Sequence, residues 1–122
     1  MPEILIIVRK GDLQEEFKDH PEKAEAVETT ILDEMGKLMG ITDVHDLAFD
    51  WIAPFRSKAS AGLAVYLPYS IRPKGLAPLE AAWYDFTKAA STQLHAALKG
   101  ILPDEIIGVW FMPIPGAGYT EA

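Results

Sequence analysis

The residue types of this chain that could carry out chemistry include Pro2, directly after Met1, and the two cations of the segment Arg72-Pro73-Lys74. Once Met1 is removed, Pro2 is a terminal secondary amine. An α-amino group titrates at about pH 8 in model peptides, and partial burial or a neighbouring cation lowers its pKa. Such an amine can move a proton beside a carbonyl group.

Each of these residues also has a simpler interpretation. Proline is tolerated at the first residue of a strand for steric reasons alone. Arg72 and Lys74 can equally be solvated cations on an exposed loop. If Met1 is retained, the nitrogen of Pro2 belongs to an amide and has no basicity, and the chain would then be a pseudoenzyme or a binding module.

The elements that must position these residues can be read from apolar runs and from Pro and Gly breaks. Apolar runs predict four strands, over residues 4–8, 47–53, 63–71 and 106–112. Apolar residues at helical spacing predict one helix from Pro21 to Gly40 and another from Pro78 to Gly100. Residues 13–18 are expected to form no more than a short helical turn. The second helix is expected to carry its apolar side on Leu79, Ala82, Trp83, Phe86, Ala89, Leu94 and Leu98.

This order predicts an α+β domain over residues 1–122, in which two consecutive β-α-β units form the halves at about 1–57 and 58–122. Strand-helix-strand units pair their strands in parallel through right-handed crossovers. The result is a four-stranded sheet with two helices on one face. Because all four strands are apolar, another subunit is expected to cover the second face.

Composition limits the possible partners and compartments. The net charge is −7, which argues against nucleic acid and anionic membranes. The absence of cysteine excludes disulfides and thiol chemistry. The first residues do not form a signal-peptide pattern, no apolar stretch is long enough for a membrane span, and the expectation is a soluble cytoplasmic protein. His20, His45 and His95 match no strong metal motif, so neither a metal nor another cofactor is expected.

Two aromatic residues of the strands are further candidates. Tyr66 can donate a hydrogen bond to a substrate oxygen, although packing at a subunit interface is its default role. Trp110 and its neighbour Phe111 can form a wall of a pocket, whereas an aromatic residue in a final strand more often belongs to the core.

The first strand with Pro2, the doubled β-α-β order and the segment 102–107, with its Pro103-Asp104 turn, resemble the tautomerase superfamily. The similar branches are those of macrophage migration inhibitory factor and malonate semialdehyde decarboxylase. The resemblance implies a homotrimer whose sheets form a barrel, with a pocket near each Pro2 built partly by the adjacent subunit. The segment from Ser70 to Lys74 is similar to the decarboxylase branch's Arg-Pro-Arg segment, in which two arginines hold the substrate carboxylate. The resemblance implies that Arg72 binds a carboxylate through two hydrogen bonds and that Lys74 adds a point charge.

The chain also departs from these branches. Asp12 follows Gly11, where the 4-oxalocrotonate branch has an arginine, and Asp46 and Asp50 both remain candidates for the decarboxylase branch's acidic partner. The resemblance implies a cofactor-independent tautomerase or isomerase that uses Pro2 as general base, or as acid, on an α-keto acid or enol carboxylate. Decarboxylase and hydratase activities stay open. The alternatives are a tautomerase-fold pseudoenzyme and a non-catalytic or differently catalytic ferredoxin-like α/β dimer that binds a small ligand, since the ferredoxin-like element order is the same.

Overall fold

The computed structural model describes residues 3–40, 47–69 and 81–113, and these form an α+β fold of four strands and three helices. The four predicted strands and both predicted helices are present, and one helix is added between β1 and the first of them. In chain order the elements are β1 (Glu3–Val8), α1 (Gly11–Asp19), α2 (Pro21–Met39), β2 (Ala48–Ile52), β3 (Leu63–Tyr69), α3 (Ala81–Ile101) and β4 (Ile107–Pro113).

The sheet has the strand order β2-β1-β3-β4. β1 pairs with β2 in parallel and β3 pairs with β4 in parallel, as the two β-α-β units predict. The two halves join where β1 and β3 run antiparallel, with Leu5 opposite Tyr66 and Val8 opposite Leu63. In a ferredoxin-like sheet, the two parallel strands of each β-α-β unit are separated by another strand that lies between them. Here those strands are neighbours, so the topology differs from that alternative.

Alternation along the strands divides the sheet into a core face and a second face, here called the open face. Residues of β1 on the core face are fully buried, as Ile4 and Ile6 illustrate. Those between them, Leu5 and Ile7, are only partly buried. The core face packs against the helices, and no helix in the described ranges packs on the open face.

α2 matches its sequence signals at both ends. Pro21 occupies the first turn, where its missing N–H needs no partner. Gly40 ends the helix in the left-handed conformation, with φ of 71°, and its N–H donates to the carbonyl of Gly36. Between them the predicted apolar positions Val27, Ile31 and Met35 are fully buried.

α1 is a complete helix, whereas the sequence predicted only a short turn at residues 13–18 and two helices in total. It is nine residues long, and its i, i+4 pair Leu13 and Phe17 is buried. The ring of Phe17 meets Trp51 of β2 edge-on at a centroid distance of 5.2 Å. This contact gives a short helix the tertiary packing that helices of its length need.

α3 differs from its prediction in two details. It continues past Gly100 to Ile101, and the N–H of Leu102 still donates to Leu98 at 2.9 Å. It buries Ala90 rather than the predicted Ala89. The predicted start of this helix, residues 78–80, and the predicted end of β3, residues 70–71, lie outside the described residues. No helix of the described part is long and apolar enough to cross a membrane.

Candidate active site

A row of four side chains crosses the open face from one edge of the sheet to the other. The strand registers pair Asp50 of β2 with Leu5 of β1, Leu5 with Tyr66 of β3, and Tyr66 with Trp110 of β4. Neighbouring strands are about 4.8 Å apart, so each of these side chains is within contact distance of the next. The row combines a carboxylate, an aliphatic group and two aromatic rings, one of which carries a hydroxyl.

The aromatic end of this row is a stacked pair. The rings of Tyr66 and Trp110 are nearly parallel, with an interplanar angle of 11° and a centroid separation of 4.7 Å. Trp110 remains 41% exposed, whereas the next residue, Phe111, faces the core and is 7% exposed. The two candidate wall residues therefore lie on opposite faces of the sheet, and only Trp110 can form a surface for a planar ligand on the open face.

Gly108 makes room for the indole of Trp110. A Cβ built on Gly108 would lie 2.2 Å from the Cη2 atom of that ring, much closer than side-chain atoms can approach. Since residues two apart on a strand share a face, the indole lies flat along β4 over the glycine. Any larger residue at position 108 would displace the ring from Tyr66.

Three predicted site residues, Pro2, Arg72 and Lys74, lie outside the described residues, as does Asp46. Their sequence neighbours are described. Pro2 precedes Glu3, the first residue of β1, and residue 70 follows the last residue of β3. Of the two acidic candidates, Asp50 is exposed and lies on the open face beside Leu5.

From the sequence alone, Arg9 and Lys10 could either reach the pocket or balance the acidic first helix. They follow the last residue of β1, at the end of the strand opposite to the one that Pro2 precedes. Lys10 forms an ion pair with Glu105, with 3.3 Å between Nζ and Oε2. The Nη1 atom of Arg9 lies 3.5 Å from the hydroxyl of Ser57. Within one chain these cations are separated from the start of β1 by about 20 Å of extended strand. The sequence contains a signal for a group of cations at this end of the sheet. Arg56 and Lys58 follow β2, which is parallel to β1, so they come after the same end of the sheet as Arg9 does.

The arrangement on the open face can bind a flat unsaturated molecule and can donate one hydrogen bond. The Tyr66–Trp110 stack supplies an apolar surface, and the phenol of Tyr66 supplies the donor. Proton abstraction requires a base. Asp50 lies in the same row but is separated from Tyr66 by Leu5, and the other candidate, Pro2, precedes β1 in the sequence. In the described ranges no group of three or more His, Asp or Glu side chains is arranged to hold a metal ion.

No protein-family model and no curated protein matches the chain. Solved structures do match over nearly its whole length. The "F6 fused 4-OT wild type asymmetric trimer" has a TM-score of 0.65 at 10% identity and covers 98% of this chain and 91% of its own. Pt0534 inactivated by 2-oxo-3-pentynoate has a TM-score of 0.62 at 11% identity, over 98% and 92% of the two chains. A 5-carboxymethyl-2-hydroxymuconate delta-isomerase has a TM-score of 0.59 at 16% identity, over 100% and 87%.

At these identities the similarity concerns the fold. The chain has the fold of the tautomerase superfamily, which confirms the prediction made from the N-terminal strand and the doubled β-α-β order.

Proposed function

We propose that this protein is a cofactor-independent tautomerase or isomerase that acts on small α-keto acids or enol carboxylates, with Pro2 as the proton carrier. The observation that carries the proposal is the antiparallel pairing of β1 with β3. Because the two strands run in opposite directions, the carboxyl end of β3 lies at the sheet edge where β1 begins. The segment with Arg72 and Lys74 follows β3 directly, so the pairing supports a common site for these cations and Pro2.

The proposed reaction is a proton transfer in two steps. The free amine of Pro2 removes a proton from the carbon next to the substrate's carbonyl group, and the resulting ammonium returns it to a different atom of the enolate. Arg72 and Lys74 bind the carboxylate and stabilise the negative charge that develops on the enolate. The phenol of Tyr66 donates to the enolate oxygen, and Trp110 covers the planar conjugated system.

The names of the fold neighbours agree with this class of chemistry. One neighbour is an isomerase, and another was inactivated by 2-oxo-3-pentynoate, which is an α-keto acid. Decarboxylation or hydration on the same residues would require Pro2 in its protonated form, acting as an acid. Isomerisation differs from both in its balance, because it neither releases carbon dioxide nor adds water and only moves a proton within the substrate.

The proposal includes a homotrimer with a pocket shared between subunits. A fused 4-OT of this fold is described as a trimer. In the present chain Ile52 and Trp110, both on the open face, are 43% and 41% exposed. Large apolar side chains on an uncovered sheet face are typical of a protein contact surface, and a second and third copy of the chain are the proposed cover.

The decisive experiment is chemical labelling of Pro2 followed by kinetics. The intact mass of protein from its native host is expected to lack one methionine. 2-Oxo-3-pentynoate carries an alkyne conjugated to a ketone, which a free amine attacks, so the mass should then increase by one reagent molecule per chain. Ketonisation of phenylenolpyruvate should be abolished in step with the labelling.

Two substitutions test the roles of Pro2 and Arg72 in the same kinetic assay. Pro2→Ala replaces the secondary amine with a primary one, and kcat should fall by about 10²-fold or more. Arg72→Ala should raise KM for acidic substrates, with little effect on neutral carbonyl compounds. Unchanged turnover in Pro2→Ala would exclude the role given to Pro2. Full retention of Met1 in the native protein would favour the alternative of a pseudoenzyme or ligand-binding module.

A further inference from the structure

We infer that the chain carries a second ligand site, a cationic cleft that binds small unsaturated acids with two carboxylates. The cleft has a volume of about 400 Å³, within the range of small-molecule sites. Its lining comprises Arg9, Gly11, Gln14, Pro54, Phe55, Arg56, Ser57 and Lys58.

The position of the cleft follows from the topology. β1 and β2 are adjacent and parallel, so their carboxyl ends meet at one edge of the sheet. Arg9 comes directly after β1, and the segment 53–58 comes directly after β2. Ligands of sheets with parallel strands bind outside the carboxyl ends of those strands. The 3.5 Å approach between Arg9 Nη1 and Ser57 Oγ joins the two segments across the cleft.

The charge of the cleft is opposite to that of the molecule. The chain carries 18 acidic against 11 basic side chains, yet Arg9, Arg56 and Lys58 line the cleft and no Asp or Glu does among its described lining residues. Lys10, Lys18, Lys23 and Lys37 each form an ion pair with a carboxylate. Arg9, Arg56 and Lys58 form none with any carboxylate in the described ranges. Three cations that line one cleft, and that have no ion-pair partner in the described ranges, form an anion site that a ligand can neutralise.

The types of side chain define the ligand more closely. A guanidinium group binds a carboxylate through two parallel hydrogen bonds, so Arg9 and Arg56 suit two carboxylates, with Lys58 as an additional charge. Phe55 lines the same cleft and is 98% exposed, which leaves its ring available to cover an apolar or aromatic part of a ligand. The start of α1 at Gly11 borders the cleft, but it adds little charge for a ligand, because the Asp12 carboxylate already accepts a hydrogen bond from the N–H of Leu13 there.

This site is independent of the proposed reaction at Pro2. Pro2 precedes the first residue of β1, whereas Arg9 follows the last, and the strand between them spans about 20 Å. A chain with retained Met1 would therefore keep the cleft. The two proposals can fail separately, because this one is tested by equilibrium binding and not by turnover.

The test is isothermal titration calorimetry of the full chain with benzene-1,2-dicarboxylate. The double variant Arg9→Gln/Arg56→Gln is expected to weaken binding by about tenfold or more, since each substitution removes charge-assisted hydrogen bonds. The matched control is Lys88→Gln, an exposed lysine of α3 that also has no ion pair in the described ranges. It should leave the affinity unchanged. Raising the ionic strength should weaken binding in the wild type.

Three further titrations test whether binding depends on the second carboxylate, on the ring of Phe55 and on Pro2. Benzoate, with one carboxylate, should bind more weakly than the dicarboxylate. Phe55→Ser, a change at an exposed side chain that leaves the fold intact, should weaken the binding of benzene-1,2-dicarboxylate more than it weakens the binding of malonate. Pro2→Ala should bind benzene-1,2-dicarboxylate with wild-type affinity.

Four outcomes would overturn the inference. They are equal affinity in the double variant and the wild type, an equal loss in Lys88→Gln, inorganic phosphate binding as tightly as benzene-1,2-dicarboxylate, and no detectable binding of the dicarboxylate at about 1 mM. A tenfold loss in Pro2→Ala would also contradict it, because the cleft would then belong to the Pro2 pocket.

Discussion

At the scale of single residues, the stack of Tyr66 and Trp110 shapes the open face, and Gly108 leaves the space that the indole occupies. Alternation along a strand shows that Trp110 and Gly108 share a face, and this much can be read from the sequence. The stack with Tyr66 depends on the register between β3 and β4, which is set by packing far from either ring. Similarly, Arg9 and Arg56 could be assigned to one sheet edge from the topology, whereas the cleft between them depends on how the two segments fold after their strands.

The glycine beneath the indole gives a prediction at this scale. Gly108→Ala should force the ring of Trp110 away from Tyr66 and lower the free energy of unfolding by about 0.5–1.5 kcal/mol, the contribution of an aromatic pair. Urea unfolding measures the stability, and near-ultraviolet circular dichroism reports the loss of the stack. An unchanged aromatic spectrum would contradict the proposed packing.

Gly100 provides the matched control for this substitution. It lies in the last turn of α3 at an exposed position, and a Cβ added there would have no neighbouring atom within 4 Å. Gly100→Ala should therefore stabilise the protein by about 0.5–1 kcal/mol, because alanine loses less conformational entropy in a helix than glycine does. The two Gly→Ala changes should thus have opposite effects on the free energy of unfolding.

At the scale of elements, the sequence predicted most of the fold because the strands and long helices carry strong periodic signals with Pro and Gly at their ends. α1 was predicted only as a short helical turn, and its underestimated length has a physical reason. It has only two buried apolar residues, and it is stabilised by the contact of Phe17 with Trp51, which is distant in sequence. The prediction of a helix end at Gly100 was wrong by one residue, because a glycine without the left-handed conformation does not end a helix as Gly40 does.

A hydrogen-bonded carboxylate connects α2 to α3. Glu34 of α2 is 8% exposed, accepts a hydrogen bond from Gln93 of α3, and lies 3.1 Å from Lys37 Nζ. The hydrogen bond from Gln93 lowers the pKa of Glu34 below its ordinary value of 4.5, burial opposes this effect, and the hydrogen bond and charge of Lys37 lower the pKa further. The ionised form is thus favoured in the folded state.

This connection predicts a pH dependence of stability. Because the pKa of Glu34 is lower in the folded than in the unfolded chain, its stabilising contribution is complete above the unfolded pKa and is lost as the pH falls through the folded pKa. Glu34→Gln should remove that part of the acid dependence in urea unfolding between about pH 6 and pH 3. Glu15→Gln, at an ion pair exposed on both sides, is the control and should change little. Parallel pH profiles of Glu34→Gln and the wild type would refute this role.

At the scale of the whole molecule, the apolar open face predicts assembly. Light scattering is expected to give the mass of three chains. Ile52 on the open face and Ile101 at the end of α3 have nearly equal exposure, 43% and 40%. Ile52→Lys should dissociate the trimer, because the charge would be buried in the contact, whereas Ile101→Lys should leave it intact. A dimeric wild type, or dissociation by both substitutions, would count against the proposed assembly.

The antiparallel join of β1 and β3 gives the sheet an approximate two-fold symmetry, in which each half of the chain repeats the other in reverse direction. The start of β1 and the start of β3 are then equivalent places, but they are not chemically equal. Gly62, just before β3, is an internal residue whose N–H donates to Ile106 at 2.7 Å, and the Lys10–Glu105 ion pair lies against it. Of the two symmetric positions, only the start of β1 can carry the terminal amine that is proposed for Pro2. Cutting the chain between Ala61 and Gly62 would create an amine at the equivalent place, and its N–H groups could still donate to the carbonyl of Ile106.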